Sequence, residues 1–159
     1  MNSRSKTRLT RLLLITLSPI ATIASLSFSA FAVCSLTTTS ISFGNYDVFS
    51  TAALDTNGSI VFRCGSGDHN ISVSFNQGGA SSFNPRWMLK GSEVLNYNLY
   101  LDAARTVVWG DGTAGTQTYI IRNPPNNQDV TVPVYGRVPS GQSVSKGAYS
   151  DTITVTINF

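Results

Sequence analysis

Asp151-Thr-Ile-Thr-Val-Thr-Ile-Asn-Phe159 alternates strictly. Ile153, Val155, Ile157 and Phe159 fall on one face of an extended chain, and Thr152, Thr154, Thr156 and Asn158 on the other. A period of two marks a half-buried β-strand. The sequence ends on that strand. It is therefore expected either to pair inside a sheet or to stand as an edge that invites another chain. The second alternative points to function by strand exchange rather than by catalysis.

The same period recurs upstream. Ser35–Phe43 reads as a first strand with Ile41 and Phe43 in phase, and Tyr46–Thr56 as an irregular link. Asn57-Gly58 is a turn signal, and Ile60, Phe62 and Cys64 alternate after it. Ile71, Val73 and Phe75 form the next run, and Arg86–Lys90 a short strand that turns at Gly91-Ser92. Leu95, Tyr97, Leu99 and Leu101 mark a longer strand. Thr106–Trp109 and Thr116–Ile121 flank Gly110-Asp111-Gly112 and predict a small hairpin. Val130, Val132, Val134 and Val138 form another strand, in which Pro133 argues for an edge or a bulge. No stretch carries an amphipathic helical period. Short alternating strands between Gly, Pro and Asn turns predict an all-β sandwich.

Residues 1–32 read as a signal peptide and 33–159 as one domain. Arg4, Lys6, Arg8 and Arg11 are a basic leader, Leu12 to Ile23 an apolar run, and Ala30-Phe31-Ala32 a small-x-small cleavage signal. The run is short for a bilayer span, so stable membrane insertion is not expected after cleavage. Export also reverses the charge reading. Four of the 11 basic residues lie in the leader and none of the eight acids do, so the mature balance is 7 − 8 = −1. Arg63, Arg86, Lys90, Arg105, Arg122, Arg137 and Lys146 are scattered, which excludes a nucleic-acid surface. In an exported chain, the pair Cys34 and Cys64 reads as a structural disulfide joining two strand ends near one edge.

Catalytic patterns are missing from the sequence. His69 has no second histidine or thiolate partner for a metal. Asp102 and Asp111 sit in turn contexts rather than as a carboxylate pair, and no G-x-S-x-G elbow is present. Gly65-Ser-Gly67 and Gly110-Asp-Gly112 open no helix, so they make no phosphate loop. The reading is a protein that is not an enzyme and needs no cofactor. Trp87, Trp109, Tyr46, Tyr100 and Tyr119 are the aromatics that would line a sugar-binding face.

Three stretches carry a family likeness. They are Tyr97-Asn-Leu99-Tyr-Leu-Asp102-Ala-Ala-Arg105, Val134-Tyr-Gly136-Arg-Val-Pro-Ser-Gly141-Gln142, and Gly147-Ala-Tyr149-Ser-Asp151-Thr-Ile-Thr-Val155. Here the chain resembles the spore coat protein U domain, which is also the subunit domain of archaic chaperone–usher pili. The paired cysteines and the aromatic Phe159 agree, and the likeness spans nearly all of Cys34–Phe159.

The resemblance implies an immunoglobulin-like sandwich that lacks its last strand. A periplasmic chaperone lends that strand on the way to an outer-membrane usher, and a neighbouring pilus subunit later replaces it. By the same resemblance Ile153, Val155, Ile157 and Phe159 line the groove, and the Phe159 carboxylate docks on the chaperone. Polymerising subunits of this family carry a donor extension ahead of the first cysteine. Cleavage after Ala32 leaves Val33 alone before Cys34, which makes a subunit that accepts a strand but gives none. That suits a tip or initiating subunit of a surface fibre supporting adhesion and biofilm formation. Cleavage after Ala24 would leave Ser25–Val33, in which Leu26 and Phe28 alternate as a donor would. A spore or cell-surface coat protein is the alternative reading, and a secreted sugar-binding module the third.

Overall fold

The structure is a computed structural model that describes residues 34–159. The signal segment read over 1–32, both cleavage positions and Val33 lie outside the described residues. The described residues form eight strands in two antiparallel sheets. In chain order they are β1 (Cys34–Thr38), β2 (Leu54–Cys64), β3 (Ile71–Phe75), β4 (Arg86–Lys90), β5 (Glu93–Tyr100), β6 (Tyr119–Ile121), β7 (Asp129–Val138) and β8 (Val155–Asn158). One sheet runs β1-β2-β7-β5-β4 and the other β6-β3-β8. This is the expected β-sandwich.

Alternation decides which side chains fill the space between the sheets. Ile60 and Phe62 of β2, Val132 and Val134 of β7, and Leu95 and Leu99 of β5 are buried on the five-stranded side. Ile71, Val73 and Phe75 of β3 meet them from the other sheet. Each such burial contributes about 1.5–3 kcal/mol. Trp109 fills the centre with no exposure, stacked on Phe75 at 4.3 Å. Its indole N–H donates to the Val73 carbonyl at 2.9 Å, so the buried polar edge is satisfied.

The Cys34–Cys64 disulfide is formed, with the two Cα atoms 4.1 Å apart. The cysteines are direct cross-strand partners in the β1–β2 ladder, and β1 is an edge of its sheet.

Several local expectations give way to the tertiary structure. Asn57-Gly58 is not a turn. Both residues lie inside β2, paired with Tyr135 and Val134 of β7. A long ladder outweighs a two-residue turn preference. The glycine serves another end, because a Cβ there would lie 2.6 Å from a side-chain carbon of Ile41, which crosses over it. The hairpin around Gly110-Asp111-Gly112 does not form either. Trp109 meets Gln117 in an isolated parallel bridge, and Tyr119–Ile121 pairs with β3 instead. Sinking Trp109 into the core removes the first arm from any hairpin.

Pro133 sits in β7, an interior strand of its sheet. Yet β5 pairs with Tyr135–Arg137 alone, so at Pro133 the strand has a ladder neighbour on the β2 side and none on the β5 side. The missing N–H is tolerated because that stretch is locally an edge. The first strand stops at Thr38 rather than Phe43. The terminal strand begins at Val155 rather than Asp151, for a reason that defines the site below.

Candidate functional site

The C-terminal segment changes sheets as it runs. Ser150 exchanges both backbone hydrogen bonds with Leu89 of β4, at 2.9 and 3.1 Å. Four residues later the chain is against the other sheet. The Asn76 N–H donates to the Thr154 carbonyl at 3.1 Å, and the Thr154 N–H donates to the Asn76 side-chain oxygen at 2.8 Å. Then β8 pairs with β3, Thr156 opposite Ser74 and Asn158 opposite Ser72. Between Ser150 and Thr154 no regular ladder is possible, which is why the strand is shorter than its alternation suggests.

This crossing leaves an ordered open edge. Successive residues of a strand turn their backbone N–H and C=O groups to opposite sides. Ser150 and Thr154 spend theirs on β4 and Asn76. Ile153, Val155 and Ile157 therefore turn theirs the other way, toward a side where β8 has no ladder partner among the described residues.

The opposite wall is residues 39–43, which continue from β1 without laddering. The Thr39 hydroxyl donates to the Ser59 carbonyl, and the Thr56 hydroxyl to the Ser42 carbonyl, each at 2.9 Å. Two glycines let this wall lie flat on the sheet. Gly58 sits beneath Ile41, and at Gly136 a Cβ would come within 2.8 Å of the Phe43 ring. Phe43 then meets Tyr97 edge-on, with centroids 5.6 Å apart.

Between the walls runs a cleft of about 430 Å³, with Ile60, Phe75, Leu99 and Val134 along its floor and Ile153 and Val155 on its flank. It continues past Phe43, Met88 and Tyr149 into a second space of about 870 Å³ over Leu95 and Val138. The four terminal residues singled out from the sequence are thus divided. Ile153 and Val155 line the cleft. Ile157 is half-buried against the core beside it. Phe159 lies past the end of β8 and is 53% exposed.

Of the motif residues, Tyr97, Leu99, Tyr149 and Asp151 line this cleft, Gly147 lines its continuation, and the others brace the strands and loops around it. The Tyr97 hydroxyl donates to the Asp151 carboxylate at 2.6 Å, and the Gly79 N–H donates to its other oxygen at 2.8 Å. Burial, then the bond to Asp151, pushes Tyr97 ionisation far above the usual phenol range. Gly78, at φ +68°, leaves room that the Asp151 carboxylate fills. The Gln142 amide accepts from Asn96 N–H at 2.7 Å and donates to Asn96 C=O at 2.9 Å, standing in for a strand neighbour of β5. Gly141 turns the chain there at φ +78°. Asp102 accepts from the Val107 N–H at 2.8 Å, and from the Thr106 N–H and hydroxyl, closing the loop after β5. Those bonds, the Val107 N–H first, hold its carboxyl below the usual range. Leu99 is in the floor.

At the far end Tyr149 and Ser145 fasten the returning loop to the β4–β5 hairpin. The Ser145 hydroxyl donates to Glu93 at 2.6 Å, Tyr149 donates to the same carboxylate, and Lys90 lies 3.5 Å away. The Ser145 hydroxyl, then Tyr149, hold the Glu93 carboxyl at about 2. Gly147 takes a φ of +153°, a conformation that side-chain-bearing residues rarely adopt, and the outer part of the Lys90 side chain lies over it.

Two residues central to the site were not singled out from the sequence. Arg86 has no exposure. It donates to the Asn76 carbonyl at 2.8 and 3.0 Å, the Trp109 carbonyl at 2.7 Å and the Asn98 side-chain oxygen at 2.7 Å. Burial lowers its pKa from the ordinary guanidinium value. Arg86 thus holds Asn76, and Asn76 holds Thr154. Its phase in β4, two residues before the buried Met88, is the signal that marks Arg86 as inward.

The other candidate chemistries find no shared site among the described residues. Cys34, Cys64 and Asp68 cluster, but both sulfurs belong to the disulfide and offer no thiolate. Asp111 accepts from Thr113 in its own turn. Of the five aromatics, Trp109 is core and the Tyr46 hydroxyl joins the Pro139 carbonyl to the Gln142 N–H, so they form no common face.

Comparison with known proteins places this geometry. In Myxococcus xanthus, "Protein U" is 38% identical over 68 residues, which is 43% of this chain and 36% of the relative. A chain in the crystal structure of the CsuC–CsuE chaperone–tip adhesion subunit pre-assembly complex, from archaic chaperone–usher Csu pili of Acinetobacter baumannii, superposes with a TM-score of 0.59 at 20% identity. That match covers 80% of this chain and 40% of the other, so the chain spans well under two thirds of both proteins. At that identity the likeness is one of fold. The Spore Coat Protein U domain model matches residues 21–156, and the chain belongs to that family.

Proposed function

We propose that this protein is a structural subunit of a surface fibre and that its cleft receives a β-strand from another chain. The observation that carries the reading is the terminal segment. Ile153, Val155 and Ile157 turn backbone groups that no described residue ladders toward a groove whose floor includes Ile60, Phe75, Leu99 and Val134. An extended chain laid there would gain main-chain hydrogen bonds and bury alternate side chains, as strand addition requires. Membership of the family and the fold shared with the Csu complex support it.

In this reading a periplasmic chaperone fills the groove first, an outer-membrane usher exports the complex, and a neighbouring subunit then takes the chaperone's place. No reaction and no cofactor are involved. Phe159, exposed beyond β8, is the group that the chaperone meets. The signal peptide is removed and residues 33–159 are exported to the cell surface. We assign the tip or initiating position, with adhesion and biofilm formation as its consequence, because cleavage after Ala32 leaves Val33 alone ahead of Cys34 and so no segment to donate.

The test is the native mass of the protein drawn from its own periplasm. The expected result is a one-to-one complex with a chaperone-sized partner. A stable, soluble monomer would sink the fibre reading. The N-terminal sequence of the exported protein tests the position. A start at Val33 fits a subunit that only accepts, whereas a start at Ser25 keeps a donor segment and removes the tip assignment. Kinship with Protein U favours a coat protein as the second reading. Adjacent chaperone and usher genes would decide for the fibre.

A further inference from the structure

The floor of the groove is not uniformly apolar. Asp151 and Tyr97 both line it, between Ile153 on one side and Tyr149 on the other. The Asp151 carboxylate takes the Tyr97 hydroxyl on one oxygen, and the Gly79 and Thr152 N–H groups on the other. None of the ion pairs among the described residues includes it. It is a half-buried carboxylate whose direct contacts are all neutral donors; the buried Arg86 guanidinium senses its charge but spends its own donors on Asn76, Asn98 and Trp109, and acceptor capacity is left on the oxygen that faces Tyr97.

Resting on the strand-receiving reading above, we propose that Asp151 is a specificity determinant. The strand that fills this groove carries a hydrogen-bond-donating side chain at the one inward position over Asp151, among apolar residues at its other inward positions. The reason is desolvation. A strand covering the groove removes water from the carboxylate, and a carboxylate buried without a cation is costly unless hydrogen bonds replace the water. An aliphatic side chain over Asp151 replaces none of them. A hydroxyl or amide donor adds a charge-assisted bond, the stronger kind. The occupant is thus an extended chain of another protein with a polar residue set into an apolar alternation.

Threonine and valine are nearly the same shape, so the pair isolates the hydrogen bond. The probes are synthetic nine-residue peptides with serine at outward and valine at inward positions. Threonine replaces valine at one inward position at a time. Binding to the exported protein is measured by calorimetry. At a single position threonine should bind about tenfold tighter than valine, the size expected of one hydrogen bond to a charged group. At the others valine should win. Asp151→Asn, which leaves only a neutral hydrogen bond, should shrink the threonine preference severalfold and leave the remaining ranking intact. Tyr97→Phe, which frees the carboxylate oxygen, should keep or enlarge it, and it tests the idea if the first variant does not fold. Valine equal to or better than threonine everywhere, or a threonine preference that is undiminished in Asp151→Asn, would overturn the inference while the groove reading stands. Binding of no peptide by the unmodified protein would overturn the strand-receiving reading and the inference with it.

Discussion

The two flanks of the sandwich are built on opposite terms. On the β1–β2–β7 side the long strand β2 is laddered on both sides. Ten consecutive residues of β2, Leu54 to Arg63, ladder with β7, and β1 is stitched to β2 by the disulfide at Cys34–Cys64. Cross-strand ion pairs, Arg63–Asp129 at 2.7 Å and Arg137–Asp55 at 2.7 Å, decorate the ladder and add little, because they are partly exposed. On the other flank β8 is four residues long, ladders on one side with β3, and has no partner on the other among the described residues. What holds the approach to β8 in place is side chains. Asp151, Asn76 and the buried Arg86 do for residues 151–154 what a neighbouring strand does for β2. One flank takes its stability from a ladder. The other leaves a backbone edge without a ladder neighbour among the described residues and is positioned from beneath.

The comparison is broken most sharply on the open flank. Val155→Asp places a charge where an incoming strand must bury its apolar face. Strand capture should be lost altogether, read as the disappearance of the chaperone-sized complex. Normal assembly by this variant would show that the open edge is not the working one.

Arg86→Ala attacks the support instead. It strips donors from the carbonyls of Asn76 and Trp109 and from Asn98 at once, and it empties a fully buried site. Buried acceptors left unsatisfied cost about 1–3 kcal/mol each, so a loss of about 4 kcal/mol or more is expected. Chemical denaturation measures it. A loss under 1 kcal/mol would mean that the open flank does not depend on the arginine.

Reduction of the disulfide probes the closed flank. The bond spans a sequence separation of 30 residues, for which about 3–4 kcal/mol is expected. The oxidised protein should melt well above Cys64→Ser, while groove binding by the folded variant stays unchanged. Equal melting of the two would assign the closed flank to the ladder alone.

The two flanks were unequally legible in the amino-acid sequence. The inward faces of β2, β3 and β5 follow from alternation, because each ladders regularly and a period of two survives in the sequence. The same alternation at 151–159 marked the terminal strand but left open whether it pairs inside a sheet or stands as an edge; the open groove was implied only by the family resemblance. Nor could it show that the strand changes sheets between Ser150 and Thr154, since alternation is blind to which neighbour a strand has. Asn57-Gly58 misled because a turn preference of two residues competes with a ladder formed by residues more than seventy positions away. The phase of Arg86 in β4 pointed it inward, but its partners were hidden for a related reason. A guanidinium is tolerated in a core when carbonyls from distant loops converge on it, and that convergence is a property of the fold.

The smallest expected effect sharpens the comparison at the far end of the open flank, where Glu93 receives Ser145, Tyr149 and Lys90. Its carboxyl is held at about 2 against an ordinary 4.5, the Ser145 hydroxyl being the chief cause and Tyr149 the second. A folded-state pKa below the unfolded one stabilises fully above the unfolded value and is lost as pH falls through the folded value. The contact should therefore be intact above about pH 4.5 and weaken progressively toward pH 2. Glu93 is solvent-accessible, so the loss should be local. The loop at 145–149 should loosen while the β2–β7 ladder keeps its amide protection. Amide exchange and the Tyr149 ring resonances followed between pH 5 and pH 2 test this. Parallel loosening of both flanks over that range would show that the returning loop is not fastened separately, and that the two flanks fold as one unit.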